Sequence, residues 1–203
     1  RTVTLAGNGR GWQDGPGTDA KFYNPAQITL DRNGNLYVAD SANNAIRKVA
    51  PDGTTSTIYR EITHPTHEKL LRPGALAIDS LGRLFVPDIE AHGIFAVGSQ
   101  GDLLEWSGHN GSGYTDGKLN AAFNAPSALA FDSQDNLYVA DEGNHCIRKI
   151  EKDGSVSTFI GTNTEGFADG TRQQARFSAP SGLAFDNNGN LYATNSFGSQ
   201  LYR

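Results

Sequence analysis

Three short runs in this 203-residue chain set an aromatic ring and a carboxylate two positions apart between glycines. They are Gly11-Trp12-Gln13-Asp14-Gly15, Gly113-Tyr114-Thr115-Asp116-Gly117 and Gly166-Phe167-Ala168-Asp169-Gly170. A ring face beside a carboxylate suits stacking on a sugar or holding a cation. Trp12, Asp14, Tyr114, Asp116, Phe167 and Asp169 are therefore the candidate ligand-binding residues. Each run is followed, six or seven residues past its second glycine, by Phe22, Phe123 or Phe177. Such even repetition with an interchangeable ring favours packing, in which the ring plugs a joint between repeats while Asp-Gly makes the turn. On that reading Trp12, Tyr114 and Phe167 are mostly buried.

Other chemistry-bearing residues are sparse. The histidines are His64, His67, His92, His109 and His145. Only His64 and His67 have spacing tolerable for a metal, and no second His-x-x-His exists to complete a site, so no cofactor is expected. Cys146 has no disulfide partner, and on an alternating strand it reads as a small buried hydrophobe. Asp31, Asn33 and Asn35 place oxygens as a calcium loop does, but so short a turn cannot supply six to eight ligands. A tight hairpin is expected there instead. Asn110-Gly-Ser112 fits a glycosylation acceptor, relevant only if the source glycosylates and secretes the chain. No nucleophile triad or carboxylate pair follows from spacing alone.

The elements that must position these residues are short strands. From Phe123 to Gly161 four apolar runs, Ala128–Phe131, Leu137–Ala140, Cys146–Ile150 and Val156–Ile160, are separated by Asp-, Asn- and Gly-rich turns. No window carries a helical stripe. The unit recurs: the leading aspartates Asp31, Asp79, Asp132 and Asp186 lie 48, 53 and 54 residues apart. A period near 50 built only of strands means a propeller with one blade per repeat. The inner strands are expected at Ala26–Asp31, Ala75–Asp79, Ala128–Asp132 and Gly182–Asp186, and Pro87 should mark a strand end or bulge. Blades then span about 26–58, 75–106, 128–160 and 182–203 within a single domain. Thr2–Ala6 has the character of an outer strand and would complete the last blade by pairing with Gln200–Arg203.

Composition sets the outer bounds. The charge of −5, with 17 basic and 22 acidic residues well mixed, argues against nucleic-acid binding through a basic face. Nothing approaches a membrane-spanning apolar run. The chain begins with Arg and has no Met, which reads as an incomplete translation product.

The repeated Asp-x-x-Gly-Asn-Leu-Tyr-Val-Ala-Asp core and the run Asn144-His145-Cys146-Ile147-Arg148-Lys149 resemble NHL repeats, with Cys146 in place of the family's arginine. Asn43–Lys48 is a looser match. The repeats themselves give an all-β propeller of four four-stranded antiparallel blades, closed through the terminal strands or part of a larger propeller, whereas the resemblance implies six blades. The expected function is a non-enzymatic scaffold that binds a protein or carbohydrate, or assembles through its terminal strands, and the polar, Gly-rich, nearly Cys-free composition fits an extracellular or periplasmic setting. A lyase with a metal or small-molecule site at the channel mouth is the alternative, and RNA binding, known in some relatives, is disfavoured by the acidic balance.

Overall fold

The alternation of β-branched and aromatic residues between Gly- and Asp-rich turns produces fifteen short strands among the described residues. The computed structural model describes residues 2–60, 73–98, 101–108, 111–197 and 201–203. The first sheet runs in the order β1 (Pro25–Leu30), β2 (Leu36–Asp40), β3 (Ala45–Val49) and β4 (Thr55–Arg60). The second contains β5 (Ala77–Ile78), β6 (Leu84–Asp88), β7 (Gly93–Val97) and β8 (Leu103–Ser107). The third contains β9 (Pro126–Phe131), β10 (Leu137–Asp141), β11 (Cys146–Ile150) and β12 (Val156–Gly161). The fourth has β13 (Pro180–Phe185), β14 (Leu191–Asn195) and β15 (Leu201–Tyr202), so three strands rather than four are present among the described residues. The fold is an all-β propeller with four blades. The chain divides into two compact units, Arg1–Val86 with Ala96–Leu104 and Pro87–Phe95 with Glu105–Arg203.

The expected inner strands are present, shifted by a residue or two, except that β5 is only two residues long. Pro87 is the penultimate residue of β6, where its missing N–H costs the ladder little. Among the described residues the helical pieces are single 3-10 turns such as Ser41–Asn43 and Glu142–Asn144. Each ends on a left-handed residue, Asn44 or His145, that turns the chain into the third strand. Thr2–Ala6 forms no strand; Val3 and Leu5 are exposed, and the segment leads into Gly7, whose N–H bonds the Gly17 carbonyl at 3.0 Å. A strand needs a partner to satisfy its ladder groups. The expected pairing with Gln200–Arg203 involves Gln200, outside the described residues.

Register repeats with the sequence. Val38 faces Arg47 in the first sheet as Val139 faces Arg148 in the third, and both sheets bulge just before that arginine on the side of the outer strand. In the second unit the third and fourth sheets meet over Tyr138, Ile147, Phe177 and Ala193, with Phe159, Phe185 and Tyr202 packed against them. Tyr138 meets Phe159 and Phe185 edge to face, at 4.9 and 5.0 Å between ring centroids. The joint is thus closed by strand aromatics and by the phenylalanine that follows the loop motif.

Candidate binding loops

The turn from β2 to β3 brings Asp40 and Arg47 side by side in the interior, and the turn from β10 to β11 does the same for Asp141 and Arg148. Both arginines are fully buried. Arg47 donates from Nη1 to Asp40 (2.8 Å) and the Lys21 carbonyl (2.9 Å), and from Nη2 to the Gln13 carbonyl (2.8 Å) and Asp14 (2.6 Å). Arg148 repeats the set with Asp141 (2.9 Å), Ala122 (3.0 Å), Thr115 (2.8 Å) and Asp116 (2.6 Å). Asn43 and Asn144 reach from the same turns to the Gly11 and Gly113 carbonyls, at 2.9 and 2.7 Å. Each loop is therefore fastened to the blade that follows it by one cation and one amide.

The loop aspartate also grips the outer strand. Asp14 Oδ2 accepts the Thr57 N–H at 2.9 Å, and Asp116 Oδ2 accepts the Thr158 N–H at 3.1 Å. Just upstream on each outer strand, Gly15 and Thr55, and likewise Gly117 and Val156, exchange backbone hydrogen bonds of 2.8 to 3.1 Å. The motif loop thus covers the open edge of β4 and of β12, and its carboxylate ties third strand, outer strand and loop together. Burial works against the charge on Arg148, but its hydrogen bonds to Asp141 and Asp116 outweigh that and raise its pKa. Burial raises the Asp141 pKa, opposed by hydrogen bonds from Asn124, Asn144 and Arg148.

The expectation that the motif rings are buried plugs is corrected. Trp12, Tyr114 and Phe167 are 44%, 40% and 51% exposed, whereas Phe123 and Phe177 are 0% and 1% exposed. In the first two loops the fastening accounts for this: Asp14 and Asp116 turn inward to Arg47 and Arg148, and the ring of the same loop is left on the outer surface. Trp12 and Tyr114 each stand on their own blade. Trp12 donates from Nε1 to Thr57 at 3.1 Å, and Tyr114 accepts from Thr158 at 3.0 Å. The Arg148 guanidinium lies 5.2 Å from the ring centroids of both Tyr114 and Phe123.

The fourth blade departs from this scheme. Asn195 and Tyr202 occupy the positions of Asp141 and Arg148. Asn195 accepts the Ser178 N–H at 3.3 Å and donates to the Tyr202 hydroxyl at 3.4 Å. Burial raises the Tyr202 pKa, and the Asp169 charge adds to the rise.

The remaining candidates fall into place separately. His92 and His145 each accept, through Nδ1, the N–H of Ala125 or Ala179, at 3.0 and 3.2 Å. Both alanines are left-handed and precede the proline that opens the next blade. These histidines are latches between successive blade elements. His64, His67, His109 and Asn110 lie outside the described residues. Cys146 is buried, and burial pushes its thiol pKa up, as a packing role requires. Asp31 accepts the N–H groups of Asn33 (2.9 Å) and Asn35 (2.8 Å), which makes the expected tight turn. Among the described residues no group of three or more His, Cys, Asp or Glu could hold a metal ion.

Spacing of ring and carboxylate found the loops but missed Arg47, Arg148, Asp40 and Asp141. A signal was present: an aspartate with an arginine seven residues later occurs in the first and third repeats, each behind a complete loop motif.

Comparison with known proteins agrees with this architecture. The NHL repeat family matches residues 22–49 and 123–150, the stretches that carry the two buried arginines. NHL repeat-containing protein 2 of Gallus gallus is 34% identical over 138 residues, covering 64% of this chain and 18% of that protein. The chain thus spans under a fifth of that relative's length. An auxiliary nutrient binding protein from Bacteroides ovatus superposes with a TM-score of 0.67 at 21% identity, over 86% of this chain and 46% of that one. A virginiamycin B lyase from Staphylococcus aureus superposes with a TM-score of 0.60 at 15% identity, over 90% of this chain and 57% of that one. At such identities the two structures speak for the fold alone. The recurrent blades and the matched segments make this chain a β-propeller that carries NHL repeats at residues 22–49 and 123–150.

Proposed function

We propose that the chain is a non-enzymatic binding scaffold, in an extracellular or periplasmic setting, that presents the exposed rings of its loops to a protein or carbohydrate ligand. One observation carries the reading. Trp12 and Tyr114 are surface rings on loops held rigid by a buried arginine, and Phe167 repeats the exposed ring on a third loop. Rigid aromatic groups bind at low entropic cost, because little freedom remains to be lost on contact. Asp14 and Asp116 keep about half of their side-chain surface open (41% and 51%) although one face is tied to the blade, so each ring has a polar neighbour for orientation.

Peptide and glycan arrays probed with the purified chain, beside a Trp12→Ala, Tyr114→Ala, Phe167→Ala variant, test the reading. Retained binding by wild type and its loss in a variant that still melts cooperatively is the expected result. Equal binding by both proteins contradicts it, as does an array on which wild type finds no ligand. The metal-assisted lyase alternative rests on His64 and His67, and metal analysis of the purified protein separates it from the scaffold.

A further inference from the structure

Blade 3 carries a groove of about 680 Å³ lined by Tyr114, Tyr138, Lys149, Thr158, Phe159 and Arg172 among others. Arg172 is held in place before any ligand arrives. Its guanidinium lies 4.1 Å from the centroid of the Phe159 ring, its carbonyl accepts the Gly161 N–H at 3.1 Å, and Phe159 is braced edge to face by Tyr138. Stacking fixes the plane of a guanidinium while leaving its edge donors free. Among the described residues that edge has no carboxylate partner. Lys149, the second cation of the groove, sits 3.1 Å from Glu151. Among the lining residues two cations thus face one carboxylate, while Asp116 and Asp132 are engaged with the lining Thr158 and Tyr138. The hydroxyl of Thr162, another lining residue, is buried without a hydrogen-bond partner.

The first blade supplies an internal comparison. Its corresponding groove, about 540 Å³, is lined by Tyr37, Lys48, Thr57 and Arg83, but Arg83 is bonded to Asp79 at 2.6 Å. Five residues beyond the ring of each loop motif stand Gly17, Leu119 and Arg172, so only the third copy places a cation there.

We propose that the blade 3 groove binds a small anionic sugar, with its oxyanion on the edge of Arg172 and its ring face against Tyr114. A guanidinium edge matches a carboxylate or phosphate with two parallel hydrogen bonds, and an exposed tyrosine ring offers an apolar face to a pyranose. The site shares Tyr114 with the scaffold reading and otherwise rests on residues which that reading does not use.

Calorimetric titration of the full chain with glucuronate, glucose 6-phosphate, glucose and inorganic phosphate tests the site and tells the two oxyanion sources apart. At least one of the anionic sugars binds at about millimolar affinity or better, and glucose and phosphate bind about tenfold more weakly or worse. Arg172→Ala lowers the affinity by about tenfold or more, and Arg172→Lys, which keeps the charge but loses the fork, also weakens it. Arg83→Ala changes nothing. A Trp12→Ala, Phe167→Ala variant keeps the sugar affinity even if it loses a scaffold ligand, so the two readings can fail independently. The inference is overturned if neither anionic sugar binds, if Arg172→Ala binds as well as wild type, or if inorganic phosphate alone binds as tightly as the sugars.

Discussion

Arg148 holds four acceptors inside the blade, and Asp141 beside it is equally buried, so the two cannot be separated cheaply. Truncating Arg148 to Ala strands a buried carboxylate and should cost about 3–5 kcal/mol, read as a lower urea midpoint with an unchanged slope. Asp116→Ala removes the half-exposed end of the same network and should cost nearer 1 kcal/mol. The rings divide the same way. Phe123→Ala should cost about 3–5 kcal/mol, while Trp12→Ala, on the surface, should cost below about 1 kcal/mol. A urea series on these four variants checks the ranking, and Trp12→Ala matching Phe123→Ala would restore the plug reading. The candidate site was half legible at this scale. A ring and a carboxylate stand out as types, but an arginine in a strand reads as an exposed face until the loop carboxylate and carbonyls that pack over it are known.

At the scale of the element, the turns carry most of the repeat. Asp31 and Asp186 each hold their hairpin by accepting from an asparagine side chain and from backbone N–H groups, and these bonds lower both pKa values. Asp52 and Asp153 are lowered in the same way by backbone bonds from Thr54 and Ser155. A carboxyl with a lower pKa in the folded state leaves the unfolded chain binding more protons. The stability it contributes is therefore full above about pH 4 and lost as pH falls through the folded value. Thermal melts between about pH 5 and 2 should show the decline, and replacing the four aspartates with Asn should flatten it. Gly161 ends β12 at φ +104°, where a Cβ would come within 2.8 Å of the Cys146 Cα, so Gly161→Ala should cost about 1–3 kcal/mol. The strands were legible because alternation and turn residues agree. The outer-strand assignment of Thr2–Ala6 was not, because an alternating run says nothing of whether a partner strand lies beside it.

For the molecule as a whole, repetition is what made the fold readable: four copies of one turn-and-strand unit leave few architectures other than a propeller. Function is written less plainly, since the residues repeated with the blades chiefly hold the blades. What repetition leaves at the surface are the rings of Trp12, Tyr114 and Phe167, with carboxylates beside them. The most direct test is calorimetric titration of the best array ligand onto wild type and onto each single ring-to-Ala variant, with a melt of every protein. At least one ring truncation should weaken binding by about 1–2 kcal/mol while its melting temperature stays within a few degrees of wild type. Unchanged affinity in all three variants would contradict the account.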